Sequence, residues 1–447
     1  MNAVFAPRSR PMFAPRDERY AQILVFSGWA IALLYFPSGL LHYYLGGKVY
    51  ARDALMGLHF MACVWFFYRT GLFGRWMRQC WWLAWGPLLV LPSVIDMANA
   101  VEAFTVWKWT VLWSDWIMLG TLAVLTWLEP RGVVILGSLT LLLLTVDGIA
   151  GFHEYQTNRY VFSIKSGEKS ALGVTLGFEQ TLGGKQLRLK GLQRDVFSFA
   201  NLMGSSAVAG LALASITRKI GWRCIGWVGA ALFGMMLYLS GGRSAFFGVA
   251  GAAMVAFALQ AFPEQARRWM KWALLAWLTF AIFISLFGVN ELSEYLSAIF
   301  FKHQRAGSTA SAFMRDRAWQ GVIAAIIDQP MILLSGSSVA ALLDNHVAPF
   351  YHWADNEYLW LIYHEGLPGA LALVLFFIGA ARRASGREAA DIVFLLYLFF
   401  VMGEGIARES MTFLGCLPLF VAIGFRYAPR MNVREVVRGK RREEVLV

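Results

Sequence analysis

Four short clusters in this chain combine permanent cations, carboxylates and helix-breaking glycines in a way that could hold and polarise a phosphorylated group. The first is Gly241-Gly242-Arg243-Ser244. An arginine in a tight turn presents a planar, permanently charged fork that matches phosphate oxygens. The second is Arg315-Asp316-Arg317-Ala318-Trp319, followed by Asp328-Gln329-Pro330 and Ser335-Gly336. Arg315 and Arg317 would add positive charge at the same anion. The third is Asp355-Asn356-Glu357-Tyr358, with His352 just before it and His364, Glu365 and Gly366-Leu367-Pro368-Gly369 just after. Asp355 or Glu365 would orient or deprotonate an attacking hydroxyl. The fourth is Arg188-Leu189-Lys190-Gly191 with Asp195 and Asn201. Glu404 and Arg408 stand four residues apart, a spacing that sets them to pair on one helix face.

Each cluster also has a plainer reading. Arg243 could snorkel from a helical hairpin, Asp316 could form a surface ion pair with a neighbouring arginine, and Asp355 could cap a helix. Glu365 could belong to a buried structural pair. What raises the functional reading is where the surrounding sequence puts these clusters.

The chain has 447 residues, of which 58% are hydrophobic and only 15% charged, a balance that argues against a soluble domain. Apolar runs of roughly 20 residues recur along it, each long enough to cross a hydrocarbon core of about 30 Å. The runs lie near 22–41, 54–68, 80–97, 110–128, 133–151, 196–216, 222–240, 244–262, 270–289, 357–380, 389–407 and 411–427. The expected fold class is all-α, a polytopic membrane protein of about twelve transmembrane helices. Trp and Tyr, 19 and 15 in number, suit interfacial aromatic belts.

Lysine and arginine placement sets the orientation. With the N-terminus inside, the inner segments hold Arg8, Arg10, Arg16 and Arg19; Arg69, Arg75 and Arg78; Arg131; Arg218, Lys219 and Arg223; Arg267, Arg268 and Lys271; Arg382, Arg383 and Arg387; and the basic tail. Short outer segments keep only Lys48, Arg52, Lys108, Arg243 and Arg408. The positive-inside rule therefore places both termini in the cytoplasm. The expected organisation is an N-terminus at 1–21, five spans over 22–151, an outer loop at 152–195, spans six to nine over 196–289, a large outer loop at 290–356, spans ten to twelve over 357–427 and a basic cytoplasmic tail at 428–447. The first outer loop is polar and glycine-containing, suited to a short hairpin or a lid. The second carries Ala312–Ile327 at helix-like spacing and then a turn at Gln329-Pro330, which predicts one or two short helices capping the outer face. All four clusters then fall at one level, the outer membrane boundary. The first five spans carry no comparable signal.

Other classes are disfavoured. The net charge of +12 sits between apolar spans rather than in a patch, so no nucleic-acid partner is expected. The four cysteines lie in or beside apolar runs, which predicts neither a disulfide framework nor a cysteine metal site. There is no phosphate-loop motif, no H-E-x-x-H and no nucleophile elbow, so no cofactor and no metal are expected.

At these residues the chain resembles the O-antigen ligase and polysaccharide polymerase superfamily, membrane glycosyltransferases that use undecaprenyl-diphosphate-linked glycans. The likeness runs from about Arg188 to the end of the eleventh span. Arg188, Gly191 and Asn201 are similar to the family's Arg-x-x-Gly…Asn approach to a central helix, and Gly242-Arg243-Ser244 to its small-residue-plus-Arg turn. Arg315, Trp319, Asp328, Pro330 and Gly336 resemble its Arg-x-x-x-Trp, Asp-x-Pro and Gly series, and Asp355-Asn356 with Gly366 and Gly369 its helix start. Asp355 stands where ligases acting on lipid A-core usually carry His, which is more like the polymerases; His352 is near enough to substitute.

The resemblance implies a bacterial inner-membrane enzyme with a periplasmic active site, polymerising lipid-linked repeat units. Arg243 and Arg315 would clamp the diphosphate, with Asp355 or Glu365 on the acceptor. Arg188, Asn201, Arg317, His352, Asn356, Glu404 and Arg408 would line the substrate site. The partners implied are the undecaprenyl-diphosphate-linked glycan and the lipid bilayer, with a chain-length regulator as the further partner to test. A ligase or O-oligosaccharyltransferase delivering glycan to lipid A-core or protein is the alternative within the family. A flippase or other transporter is the alternative outside it, disfavoured because the charges gather at the outer boundary rather than along the midplane.

Overall fold

The computed structural model describes residues 15–34, 50–71, 73–74, 130–161, 181–182, 186–193, 196–217, 219–287, 319–336, short stretches between 358 and 375, and 389–404. The expected spans near 80–97, 110–128 and 411–427 lie outside the described residues. The described residues are overwhelmingly helical. Among the described residues, three helices are long and apolar enough to cross a membrane: Val196–Ile216, Ile220–Ser240 and, within a slightly longer helix, Ser244–Ala261.

Helix α1 (Pro15–Leu33) begins about two turns of mostly polar residues before the apolar run near 22. Pro15 opens it, as proline's fixed φ and missing N–H allow at a first helical position. Its polar start is tied down by α2 (Tyr50–Arg69). Arg69 at the end of α2 lies 3.6 Å from the Asp17 carboxylate and over the Tyr20 and Trp65 rings. Further along the pair, His59 Nε2 meets the Leu24 carbonyl at 2.7 Å.

Helix α3 (Pro130–Thr157) precedes a minimal antiparallel hairpin, β1 (Thr181–Leu182) and β2 (Gln186–Leu187), in the 152–195 segment where a hairpin or lid was expected. The centre of the fold is α4 (Val196–Ile216), most of whose surface is buried. Around it pack α3, α5 (Ile220–Ser240), α6 (Arg243–Ala261) and α10 (Ala389–Glu404). Helix α7 (Pro263–Phe287) lies against α6 and α10, with Trp277 against Phe399 at 6.3 Å between ring centroids. Two short helices, α8 (Trp319–Asp328) and α9 (Ile332–Ser335), follow as the spacing predicts, separated by the turn at Gln329-Pro330.

Close approach of helices depends on small residues. Gly210 and Ala214 on α4 face Gly226 and Ala230 on α5. A Cβ on Gly210 would come within 2.7 Å of the Gly226 carbonyl, and a Cβ on Gly226 within 2.7 Å of the Gly210 carbonyl. This reciprocal small-x-x-x-small contact lets two backbones touch, the packing mode that joins helices where no hydrophobic drive separates protein from lipid. Gly248 on α6 and Gly403 on α10 do the same, with a Cβ on Gly403 2.9 Å from Gly248 Cα. At the other end of the core, Arg223 donates to Gln260 Oε1 and Gln260 Nε2 to Ser215 Oγ, stitching α5, α6 and α4 together. Helix α5 turns an apolar stripe outward, including Ile220, Ile225, Val228, Leu232 and Met235.

Candidate functional site

The turn between α5 and α6 is built from its sequence upward. Ser240 ends α5, buried, with its hydroxyl donating to the Leu237 carbonyl and accepting from Gly242 N–H. Gly241 takes φ 71°, a left-handed C-cap that a side chain would strain, and its N–H donates to the Tyr238 carbonyl. Gly242 then caps α6, and any Cβ there would collide with Ala200 on α4. Arg243 is thereby the first residue of α6, beside the N-terminal third of α4.

Arg188 locks this turn from the loop side. Its Nε donates to the Ser240 carbonyl and its NH2 nitrogen to the Gly241 carbonyl, each at 3.2 Å, while its guanidinium lies 5.1 Å from the Phe197 ring centroid. A cation on the last carbonyls of a helix meets the negative end of the helix dipole.

One turn into α4, Asn201 is buried beside Glu404, the last residue of α10. The Asn201 amide nitrogen donates to both Glu404 oxygens at 2.7 Å. Among the described residues, Asn201 Oδ1 has no hydrogen-bond partner. One turn further along α4, Tyr397 OH donates to the Ser205 carbonyl, and Tyr358 OH, from the tenth expected span, donates to Met402 O beside Glu404. Tyr363 packs with Val322 of α8 and Ile332 of α9. Gly366, at φ 65°, sits so close that its Cβ would lie 3.0 Å from Gly336 N.

These links join parts of all four sequence clusters: Arg188 and Asn201, Gly241 to Arg243, Trp319 to Gly336, and Tyr358 to Gly366. Arg315, Arg317, His352, Asp355, Asn356, Glu365 and Arg408 lie outside the described residues, as does the side chain of Arg243. The expected pairing of Glu404 with Arg408 therefore stands beside an observed one, with Asn201.

Two residues that the sequence reading passed over hold the site together. Asp147 and Glu154 lie two turns apart on one face of α3, and both are buried. Glu154 accepts from the backbone N–H groups of Lys190 and Gly191 at 2.9 Å and of Val161 at 3.2 Å. Asp147 accepts from Leu192 N–H at 2.6 Å and from the Gln193 side-chain amide at 2.8 Å. Burial pushes the Glu154 carboxyl up, while the three amides and the Lys190 charge pull the other way. Lys190 is itself buried, its ammonium 4.5 Å from the Tyr160 ring centroid. Gly191 takes φ 54°, and a Cβ there would run into the Asp147 carboxylate. The available signal was a pair of ionisable residues seven positions apart in an otherwise apolar run.

Among the described residues, no group of three or more His, Cys, Asp or Glu side chains could hold a metal ion. No protein-family model matches the chain, and no curated protein matches it either.

Proposed function

We propose that the chain is a multi-span inner-membrane glycosyltransferase that polymerises undecaprenyl-diphosphate-linked glycan repeat units at the periplasmic face. The observation that carries this reading is the convergence just described. Segments from four distant parts of the chain meet at one end of the α4, α6 and α10 bundle, where α6 opens on Arg243. The three apolar helices are the length a bilayer demands, and the positive-inside pattern puts this end outside.

In the proposed reaction, a hydroxyl of one lipid-linked repeat unit attacks the anomeric carbon of a second glycan. The bond from that carbon to the diphosphate breaks, and its electron pair leaves with undecaprenyl diphosphate. The hydroxyl proton passes to Asp355 or Glu365, and the anomeric configuration inverts. Arg243 and Arg315 balance the charge gathering on the diphosphate, the kind of preorganised electrostatic help whose loss costs about 10²–10³ in rate. Two guanidinium groups supply the counter-charge that a metal would otherwise bring. Asp355, rather than His, at the start of span ten favours a polymerase over a ligase.

The test is the glycan profile of cells whose only copy of the gene is deleted or carries Arg243→Ala. Single repeat units on the lipid carrier are the expected product. Free lipid-linked polymer would point to a ligase instead, and normal chain lengths with Arg243→Ala would overturn the assignment.

A further inference from the structure

We infer that Asp147 and Glu154 are positioning residues for the Arg243 turn, acting through the 188–193 loop and Arg188; the inference rests on the reading of Arg243 as a diphosphate ligand. The chain of contacts is continuous. Three consecutive backbone amides, from Lys190, Gly191 and Leu192, all donate to these two carboxylates of α3. That is possible because Gly191 is left-handed, which turns neighbouring N–H groups toward one side. The loop so fixed begins with Arg188, whose fork spans the Ser240 and Gly241 carbonyls. Those two residues end α5 and set where Gly242, and so Arg243, begins α6.

Each link is short-range and directional, so slack at α3 reaches the turn. Outer-shell supports of metal ligands, which act in the same indirect way, are worth about 10- to 100-fold in affinity, and a loss of that order is expected here. Asp147 and Glu154 act at a distance from the substrate, through the loop. Their carboxylates face the loop backbone and are spent there.

The experiment uses the full-length protein in lipid nanodiscs, titrated with undecaprenyl diphosphate and followed by tryptophan fluorescence, with thermal unfolding measured alongside. Glu154→Gln places an amide nitrogen among backbone donors, and Arg188→Ala removes the fork. Each single variant is expected to bind about 10-fold more weakly or worse, and the double variant no more weakly than the worse single. Asp147→Asn, with the Gln193 amide turned round, keeps both bonds and is expected to bind like the wild type, unlike Asp147→Ala. Effects that multiply in the double variant, or wild-type binding by Glu154→Gln, would overturn the positioning role. Should Glu154→Gln not fold, Glu154→Asp, which withdraws the carboxylate by one methylene, takes its place in the same cycle. Arg243→Ala separates a failure of the diphosphate reading from a failure of the positioning role. Wild-type affinity in that variant overturns the diphosphate reading itself, whereas weak binding there with normal binding in Glu154→Gln overturns only the inference.

Discussion

The side-chain amide of Asn201 donates to both carboxylate oxygens of Glu404, although 203 positions separate the two in sequence. One residue lies near the start of α4 and the other ends α10, so the contact fixes the two central helices where the candidate site opens. Ala200, just before Asn201, is the residue against which Gly242 packs. The same few ångströms thus set the register of α4, α6 and α10.

Replacing Asn201 by Asp should destabilise the protein more than replacing it by Ala. Alanine removes two donors from a buried carboxylate, a loss worth about 1–3 kcal/mol. Aspartate adds a second carboxylate facing the first, and both positions are buried. Thermal unfolding of the purified variants in detergent measures the order, and an Asn201→Asp protein that melts with the wild type would contradict it.

Gly191→Ala should be among the most damaging single-methyl changes in the 188–193 loop. The residue is left-handed, and the new methyl would meet the Asp147 carboxylate and, at 2.8 Å, a Phe199 ring carbon. Overpacking of this kind costs about 1–3 kcal/mol before the backbone strain is added. Limited proteolysis should show the 188–193 segment cut sooner than in the wild type; an unchanged digestion pattern would argue against the clamp.

The α4–α5 crossing gives a prediction with an internal control. Gly226→Leu should abolish the monodisperse peak in size-exclusion chromatography, because its side chain must enter the α4 backbone. Gly229→Ala, three residues along the same helix, meets nothing within 4 Å and should behave as the wild type. Equal behaviour of the two variants would mean that the helices do not cross where Gly210 and Gly226 place them.

The three helices long enough to span a bilayer could be read from sequence almost to the residue. Val196–Ile216, Ile220–Ser240 and Arg243–Ala261 are continuous apolar runs separated by the turn signals Thr217-Arg218-Lys219 and Gly241-Gly242. The polar start of helix α1, before the apolar run near 22, carries no apolar periodicity to announce it; Arg69 on another helix ties it down through Asp17. The short helices α8 and α9 were legible from spacing and from the Gln329-Pro330 turn.

Within the candidate site, legibility followed residue type. Arg188, Asn201 and Glu404 could be singled out because polar groups near a membrane boundary are costly. Their mutual arrangement could not. Asn201 and Glu404 pair across helices, and Arg188 spends hydrogen bonds on carbonyls of Ser240 and Gly241, which no side-chain pattern announces. Asp147 and Glu154 escaped notice for the same reason, since their partners are mostly backbone amides of a loop 36 to 46 positions away.

The central claim is that Arg243 and Arg315 share one lipid diphosphate, and a double-variant binding cycle tests it most directly. Undecaprenyl diphosphate would be titrated into nanodisc-embedded wild type, Arg243→Ala, Arg315→Ala and the double variant. Two arginines on one diphosphate predict that each single change weakens binding by at least about 10-fold, one charge-assisted contact being worth roughly 1.5–3 kcal/mol. They also predict that the double change costs measurably less or more than the two losses added, because neighbours that share a ligand are coupled. Losses that simply add, or wild-type affinity in either single variant, would contradict it.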